Sequence, residues 1–202
     1  MPTLESKTRL IFAKKTNKTM SKIAQAQLIQ QLENRIEQHL KDTIYSLQNL
    51  PEDVLLRAAS NGGWSIAQCL EHLNTYGDYY LPQIKSGLEK APKSSPDTHF
   101  ESSWLGAYSI KMMEPTTGKK KFKAFKGHIP AEQLDGHAVV ARFIQHQEEL
   151  LSYVKQAKSV NLNHIRIPIS ITRLIRLKLG DVFQFIIAHD ERHLQQAFRN
   201  LH

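Results

Sequence analysis

The sequence predicts an all-α protein, a four-helix bundle in which a long crossover joins the second helix to the third. Two observations carry this prediction. Apolar residues recur at helical spacing in four long segments of the chain. The connection over residues 89–129 shows neither a helical nor a strand period, and connections of that length are uncommon in compact domains unless they carry function or join distant elements.

The first two helices are predicted from periodicity and from their end signals. The first spans about 21–49, with Pro51 just past its end. The second begins at Ser65, where Gln68 three residues later completes a capping box that satisfies free amides at a helix start. The apolar residues that define the first helix are Leu28, Leu32, Ile36, Leu40, Ile44 and Leu47.

The third and fourth helices follow the long crossover. The third is predicted over 130–156 and begins with a proline, which is favoured at the first helical position. Residues 160–179 are predicted to be an apolar but irregular connector. The fourth helix is expected to follow a turn at Gly180 and to open with Asp181 and Gln184 as a second capping box.

Composition places limits on the class of protein. The single cysteine, Cys69, excludes an intrachain disulfide and a cysteine-rich zinc site, and it fits a reducing cytosol. Residues 1–20 hold no apolar run of signal-peptide length, and no segment is apolar for long enough to span a bilayer. We therefore expect a cytoplasmic protein without membrane association, in which a flexible basic extension over 1–20 precedes one domain over 21–202.

The net charge of +8 is confined to two stretches. Residues 1–20 carry five basic side chains and one acidic one, and residues 111–126 carry six and one, so the rest of the chain is nearly neutral. Phe122 and Phe125 lie among the lysines of the loop 119–126, but the loop matches no aromatic-interleaved motif of nucleic-acid recognition. We expect a solvated loop and no specific nucleic-acid partner.

Two histidines of the fourth helix have the spacing of a metal clamp. His189 and His193 are four residues apart, so both project from one face, at the flank of the apolar stripe. Two imidazoles do not complete a ligand shell, and a third ligand must come from elsewhere. His72, which lies to one side of the apolar stripe of the second helix, is a candidate. The residues alone are equally compatible with histidines that only bond their neighbours.

The motif Gly63-Trp64-Ser65, followed by His72 and by His189-x-x-x-His193, resembles the DinB-like (YfiT-like) superfamily of four-helix bundles. The resemblance extends over about 21–202 and includes the helix count and the long crossover. It implies a three-histidine divalent-metal site formed by His72, His189 and His193. Three neutral nitrogens suit zinc or nickel, and the spacing does not choose between them.

The resemblance also implies a class of chemistry. Members of the superfamily include bacillithiol S-transferases and mycothiol-dependent isomerases. It implies a metal-dependent transferase or hydrolase that activates a low-molecular-weight thiol or water and acts on a small molecule. Tyr76, Tyr79 and Cys69 share a shoulder of the second helix with His72, and we expect them to line the pocket. The alternative is a metal-binding or stress-associated protein without turnover. The sequence does not separate the two, because both kinds of protein keep the ligands.

Asp190 and Tyr76 are the candidate catalytic residues beside the metal ligands. Asp190 follows the first histidine, as the general base does in the His-Glu-x-x-His motif of metallopeptidases. It could accept a proton, orient a ligand imidazole or bond a neighbouring helix. We favour an orienting or structural role, because aspartate is one methylene shorter than glutamate.

The connector also generates a prediction about assembly. Residues 165–179 hold eight Ile and Leu residues interleaved with arginine and lysine, more apolar surface than one bundle covers unless the connector packs beneath it. We predict a homodimer in solution, formed in part through this connector. Light scattering that gives the mass of a single 23.2 kDa chain at micromolar concentration would exclude it. Ile171→Asp is expected to weaken the dimer, and an unaffected dimer would place the interface elsewhere.

Overall fold

The computed structural model describes residues 22–95, 98–116 and 123–201. These ranges are mostly helical, so the predicted all-α class is confirmed. The basic extension over 1–20 and residues 119–122 of the lysine-rich loop lie outside the described residues. The helices are α1 (Gln25–Ser46), α2 (Glu52–Leu56), α3 (Ile66–Lys90), α4 (Trp104–Met113), α5 (Gly136–Gln156) and α6 (Leu179–Phe198).

Four long helices enclose the core. Both α3 and α1 pack against α5 and against α6. Their apolar faces form two buried clusters, one containing Ile36, Ile84 and Phe183 and the other containing Leu70 and Phe143. No described helix combines the length and the apolar character that a bilayer span requires.

The predicted start of the second long helix is confirmed. Ser65 is the N-cap of α3, and its hydroxyl accepts a hydrogen bond from the backbone N–H of Gln68 at 3.1 Å. The Gln68 side chain accepts in return from the backbone N–H of Ser65 at 3.0 Å. This reciprocal pair fixes where α3 begins, about two turns before His72.

The predicted start of α5 at Pro130 is wrong, because the helix begins at Gly136. Asp135 is its N-cap and accepts from the backbone N–H of Ala138 at 2.8 Å. Glu52 of α2 accepts from the backbone N–H of Gly136 at 2.6 Å. Two carboxylates, one from the N-cap and one from α2, thus satisfy the first amides of α5. These hydrogen bonds define the start of the helix more strongly than the proline does.

The predicted capping box of the last helix is also wrong. Helix α6 begins at Leu179, and Asp181 lies inside its first turn. The Asp181 carboxylate is fully buried and accepts from the backbone N–H of Ser103 at 3.1 Å and from its hydroxyl at 2.8 Å. The Gln184 side chain donates to the Gly180 carbonyl, whereas the glutamine of a capping box accepts from the backbone N–H of the N-cap. Asp181 therefore holds the N-cap of α4, a tertiary role that the local pattern does not show.

The crossover is more regular than its sequence suggests. It contains β2 (His99–Phe100), which pairs antiparallel with β1 (Ile23–Ala24), and α4, which packs against α6. Arg35 of α1 bridges Glu114, at the end of α4, at 3.0 Å and Glu191 of α6 at 2.6 Å. The first half of the crossover is thereby attached to α6.

The predicted irregular connector is a β-hairpin formed by β3 (Arg166–Ile169) and β4 (Thr172–Lys178). A register shift leaves residues 173–175 without ladder partners. It interrupts the alternation of apolar and polar residues by which a strand is identified in a sequence. The hairpin turn is held to α3, because Tyr79 donates to the Ile169 carbonyl at 3.0 Å and Tyr80 accepts from the Ser170 amide at 3.1 Å. Three apolar residues near the turn, Ile171, Leu174 and Ile175, remain exposed.

Gly180→Ala is predicted to destabilise the fold. A methyl at Gly180 would lie 2.4 Å from the ring of Phe100, which is itself buried and unable to swing away. Alanine normally favours a helix over glycine by about 1 kcal/mol. Here overpacking should outweigh this helix preference and lower the free energy of unfolding by about 1–3 kcal/mol.

Chemical denaturation of both forms measures this change. Gly127→Ala is the matched control, since a methyl there contacts no atom within 4 Å in the described structure. A Gly180→Ala protein as stable as the parent would show that the first turn of α6 has room that the packing does not indicate.

Candidate metal centre

Three histidines converge between α3 and α6. His72 extends from the second turn of α3, and His189 and His193 extend from one face of α6, four residues apart. One ring nitrogen from each lies within 4.8 Å of the other two. His72 and His189 are buried, and His193 is partly exposed. The structure thus brings together a group that can hold a divalent metal ion.

The tautomer of His72 follows from its hydrogen bond. Its Nδ1 lies 2.6 Å from the backbone carbonyl oxygen of His128, and a carbonyl only accepts. Nδ1 must therefore carry the proton, and Nε2 presents a lone pair. That Nε2 lies 3.2 Å from Nε2 of His189. The backbone at His128 thus directs the lone pair of His72 into the histidine group, as is usual for metal-binding histidines.

His193 is oriented in a similar way by Gln196. Its Nδ1 lies 3.0 Å from the side-chain amide oxygen of Gln196, one turn further along α6. Nδ1 donates to this oxygen and leaves Nε2 free to bind a metal. Nδ1 of His189 is buried and has no hydrogen-bond partner among the described residues. Two of the three imidazoles are thus held in the tautomer that a metal ligand needs.

Burial keeps the three imidazoles neutral. It lowers the pKa of His72 to about 4 and that of His193 to about 3, and it lowers the pKa of His189 well below its ordinary value. The proximity of the other histidines lowers the pKa of His189 and His193 further. Neutral imidazole is the form that binds a metal, so the donor set fits a divalent ion such as zinc or nickel.

Aromatic side chains surround the histidines. The ring of Trp64 lies 4.9 Å from that of His72, and the ring of Tyr76 lies 4.5 Å from that of His189. Phe185, one turn before His189, stacks on it at 5.8 Å. The apolar surfaces of these rings lower the local dielectric constant, which strengthens electrostatic interactions at the histidines.

The other candidate residues lie at different distances from this group. Tyr76 contacts it directly, whereas Tyr79 bonds the hairpin at Ile169. Cys69 is fully buried in an apolar cluster, and burial raises the pKa of its thiol to about 12, so the thiol is protonated at neutral pH.

Asp190 accepts from Gln147 of α5 at 2.8 Å, and burial raises the pKa of its carboxyl to about 7. Its carboxylate contacts a neighbouring helix and is not part of the histidine group.

Two contributors to the site were not found from the sequence. His128 lies in the 3-10 turn Lys126–His128 of the crossover, and its backbone carbonyl, rather than its side chain, orients His72. No role was predicted for Gln196 from the sequence. Its position three residues after His193 is a signal that could have identified it, since such pairs are neighbours on a helix.

These features define a helical protein with a three-histidine centre that can bind a metal. The model of the DinB superfamily matches residues 35–197, and the chain belongs to that superfamily. The resemblance identified from the sequence is confirmed. Searches of curated proteins and of solved structures find no match.

Removing either buried histidine is predicted to abolish metal binding. His72→Ala and His189→Ala each leave two nitrogens, too few for a tight site. The helical content should change little, because the apolar clusters of the core do not depend on the imidazoles. Elemental analysis of purified protein and circular dichroism measure the two properties.

His146→Ala is the control, since this α5 histidine faces Asp78 and is not part of the histidine group. It should keep the metal content of the parent. Stoichiometric zinc or nickel retained in the His72 or His189 variant would refute the three-histidine assignment.

Proposed function

We propose that this protein is a metal-dependent enzyme in which His72, His189 and His193 hold a divalent zinc or nickel ion. The ion would activate a low-molecular-weight thiol or a water molecule for transfer to, or hydrolysis of, a small-molecule substrate. The observation that carries the proposal is the convergence of three neutral imidazoles between two helices, with His72 directed by a backbone carbonyl. Membership of the DinB superfamily supports it.

We further propose that the four long helices form a four-helix bundle with its long crossover between the second and third. The packing of α1 and α3 on both α5 and α6 supports this arrangement. Metal sites of bundles are built from side chains on facing helices, and α3 and α6 are such a pair.

The donor set favours a reactive site over a structural one. Structural zinc sites usually have four protein ligands, whereas three ligands leave a position open for substrate. A divalent ion there would lower the pKa of a thiol or water in that position. The partial exposure of His193 indicates that substrate approaches along the α6 side, beside Trp64.

Tyr76 is the residue that we propose contacts the substrate. Its ring lies 5.1 Å from that of His72 and 4.5 Å from that of His189. Burial raises the pKa of its phenol to about 12, so the hydroxyl keeps its proton at neutral pH and can donate it to a hydrogen bond or to a leaving group.

Asp190 acts in this proposal as a positioning residue. Its bond to Gln147 joins α6 to α5 directly beside His189. The bond would fix the rotation of α6 and thereby the directions of His189 and His193.

The second candidate function is metal binding without turnover. The near-complete burial of His72 and His189, each 3% exposed, favours it, because closed sites are typical of structural metals. The test that separates the two begins with elemental analysis of the purified protein. Metal-loaded protein is then assayed for consumption of small thiols in the presence of an electrophile. Stoichiometric metal without turnover of thiols or of hydrolysable esters would support the non-catalytic function.

Tyr76→Phe is predicted to lower turnover by about 10²–10⁴-fold while metal content stays at the parent level. The phenylalanine keeps the stacking with His128 and removes only the hydroxyl. Steady-state kinetics with the metal-loaded protein measures the change. Tyr79→Phe is the matched control, because its hydroxyl donates to the Ile169 carbonyl of the hairpin. Equal rates for the Tyr76 variant and the parent would remove the phenol from the mechanism.

A further inference from the structure

The turn Lys126–His128 of the crossover is attached to α3 mainly through one residue. Within residues 123–130 only His128 and Pro130 are buried, while Phe125 and Ile129 are each 55% exposed. Little apolar burial therefore holds this segment in place. Its polar contacts at His128 must supply much of its attachment.

Those contacts involve both the backbone and the side chain of His128. The carbonyl accepts from Nδ1 of His72 at 2.6 Å, and Nδ1 of the His128 ring lies 2.8 Å from the hydroxyl oxygen of Thr75. The ring also stacks on Tyr76, with centroids 3.9 Å apart and planes at 26°. All three partners lie within about one turn of α3.

The direction of the Thr75 bond is fixed by a second contact. The Thr75 hydroxyl lies 2.7 Å from the backbone carbonyl oxygen of His72, which can only accept. The single hydroxyl proton is therefore committed to that carbonyl, and the oxygen accepts from Nδ1–H of His128. A continuous path of hydrogen bonds runs from Thr75 through the His128 ring and backbone to the His72 imidazole.

We propose that Thr75 and His128 are positioning residues of the metal centre, and that they form a latch through which the crossover segment 123–130 sets the orientation of His72. The proposal rests on the proposed metal binding at His72, His189 and His193. Because the linkage is reciprocal, metal binding stabilises the latch, and loss of the latch weakens metal binding. Segment 123–130 of the crossover and the metal centre therefore become ordered together when metal binds.

His128 is a positioning residue and not a fourth ligand. Its ring centroid lies 6.4 Å from that of His72, and its Nδ1 is used by Thr75. Its nitrogens are not part of the group whose ligand atoms lie within 4.8 Å of one another. The direct contribution of His128 to the site is the carbonyl that holds the His72 tautomer.

The first test measures the dissociation constant for zinc by competition with a chromophoric chelator. Thr75→Val keeps the shape of the side chain and removes the hydroxyl, and His128→Ala removes the ring that anchors the turn. Each should bind zinc about 10–100-fold more weakly than the parent, as is found when groups that orient metal ligands are removed. Thr75→Ser keeps the hydroxyl and should retain the affinity of the parent.

Matched controls separate the latch from general effects of substitution. Thr43→Val changes a buried threonine of α1 whose hydroxyl has no partner within the described structure. His137→Ala removes an exposed histidine near the start of α5. Both should bind zinc like the parent. Parent-like affinity in Thr75→Val and His128→Ala as well would overturn the latch, and a parent protein that binds no zinc would overturn the proposed function and this inference with it.

Hydrogen exchange of the unsubstituted protein gives a readout that does not depend on any variant folding. Amides of residues 123–130 should exchange more slowly in the zinc-loaded protein than in the zinc-free protein. Amides of the hairpin over 166–178, which is held to α3 by Tyr79 and Tyr80, should not change. Zinc binding without added protection of 123–130 would overturn the coupling while leaving the metal centre intact.

Discussion

The burial of three imidazoles against one another is the constraint on which the rest of the site depends. Each ring has two nitrogens, and a buried nitrogen without a partner costs free energy. Nε2 of His72 and Nε2 of His189 lie 3.2 Å apart. Nε2 of His72 carries a lone pair, because Nδ1 of the same ring donates to a backbone carbonyl. Without a metal, Nε2–H of His189 can donate to this lone pair, but Nδ1 of His189 is then left buried without a hydrogen-bond partner among the described residues. A divalent ion satisfies all three imidazoles at once, which a single proton does not.

The crossover is attached to both helices that carry the histidines. Its first half is held by Ser103, which donates twice to the buried carboxylate of Asp181 in α6. Its last part is held by His128, which contacts α3 beside His72. The two attachments therefore fall on the two helices that carry the histidines. The described parts of the crossover thus contact α3 beside His72 and α6 at its first turn.

The parts of the structure that were predictable from the sequence are the parts decided by neighbouring residues. The spacing of His189 and His193 and the reciprocal cap of Ser65 and Gln68 depend only on helix geometry, and the structure has both. The similar pattern at Asp181 failed because Ser103, distant in sequence, takes the carboxylate. A local pattern predicts a cap only where no distant donor competes for it.

The remaining parts were hidden for different physical reasons. Helical angle placed His72 beside the core stripe as a candidate third ligand, and the resemblance to a family implied its place in the metal site. The structure buries it, because Trp64, Tyr76 and the crossover cover that side of α3. The contribution of His128 is a backbone carbonyl, a group that every residue carries, so no side-chain pattern could have identified it.

The unequal exposure of the three histidines bears on whether the centre is open or closed. His72 and His189 are each 3% exposed, whereas His193 is partly exposed and borders Trp64 and Gln196. A structural metal site normally surrounds the ion with protein ligands on all sides. Here three candidate ligands come from two helices, and His193 is the most exposed of the three. In the proposed function, a small substrate would therefore approach the histidine group from the His193 side, past neither of the two buried imidazoles.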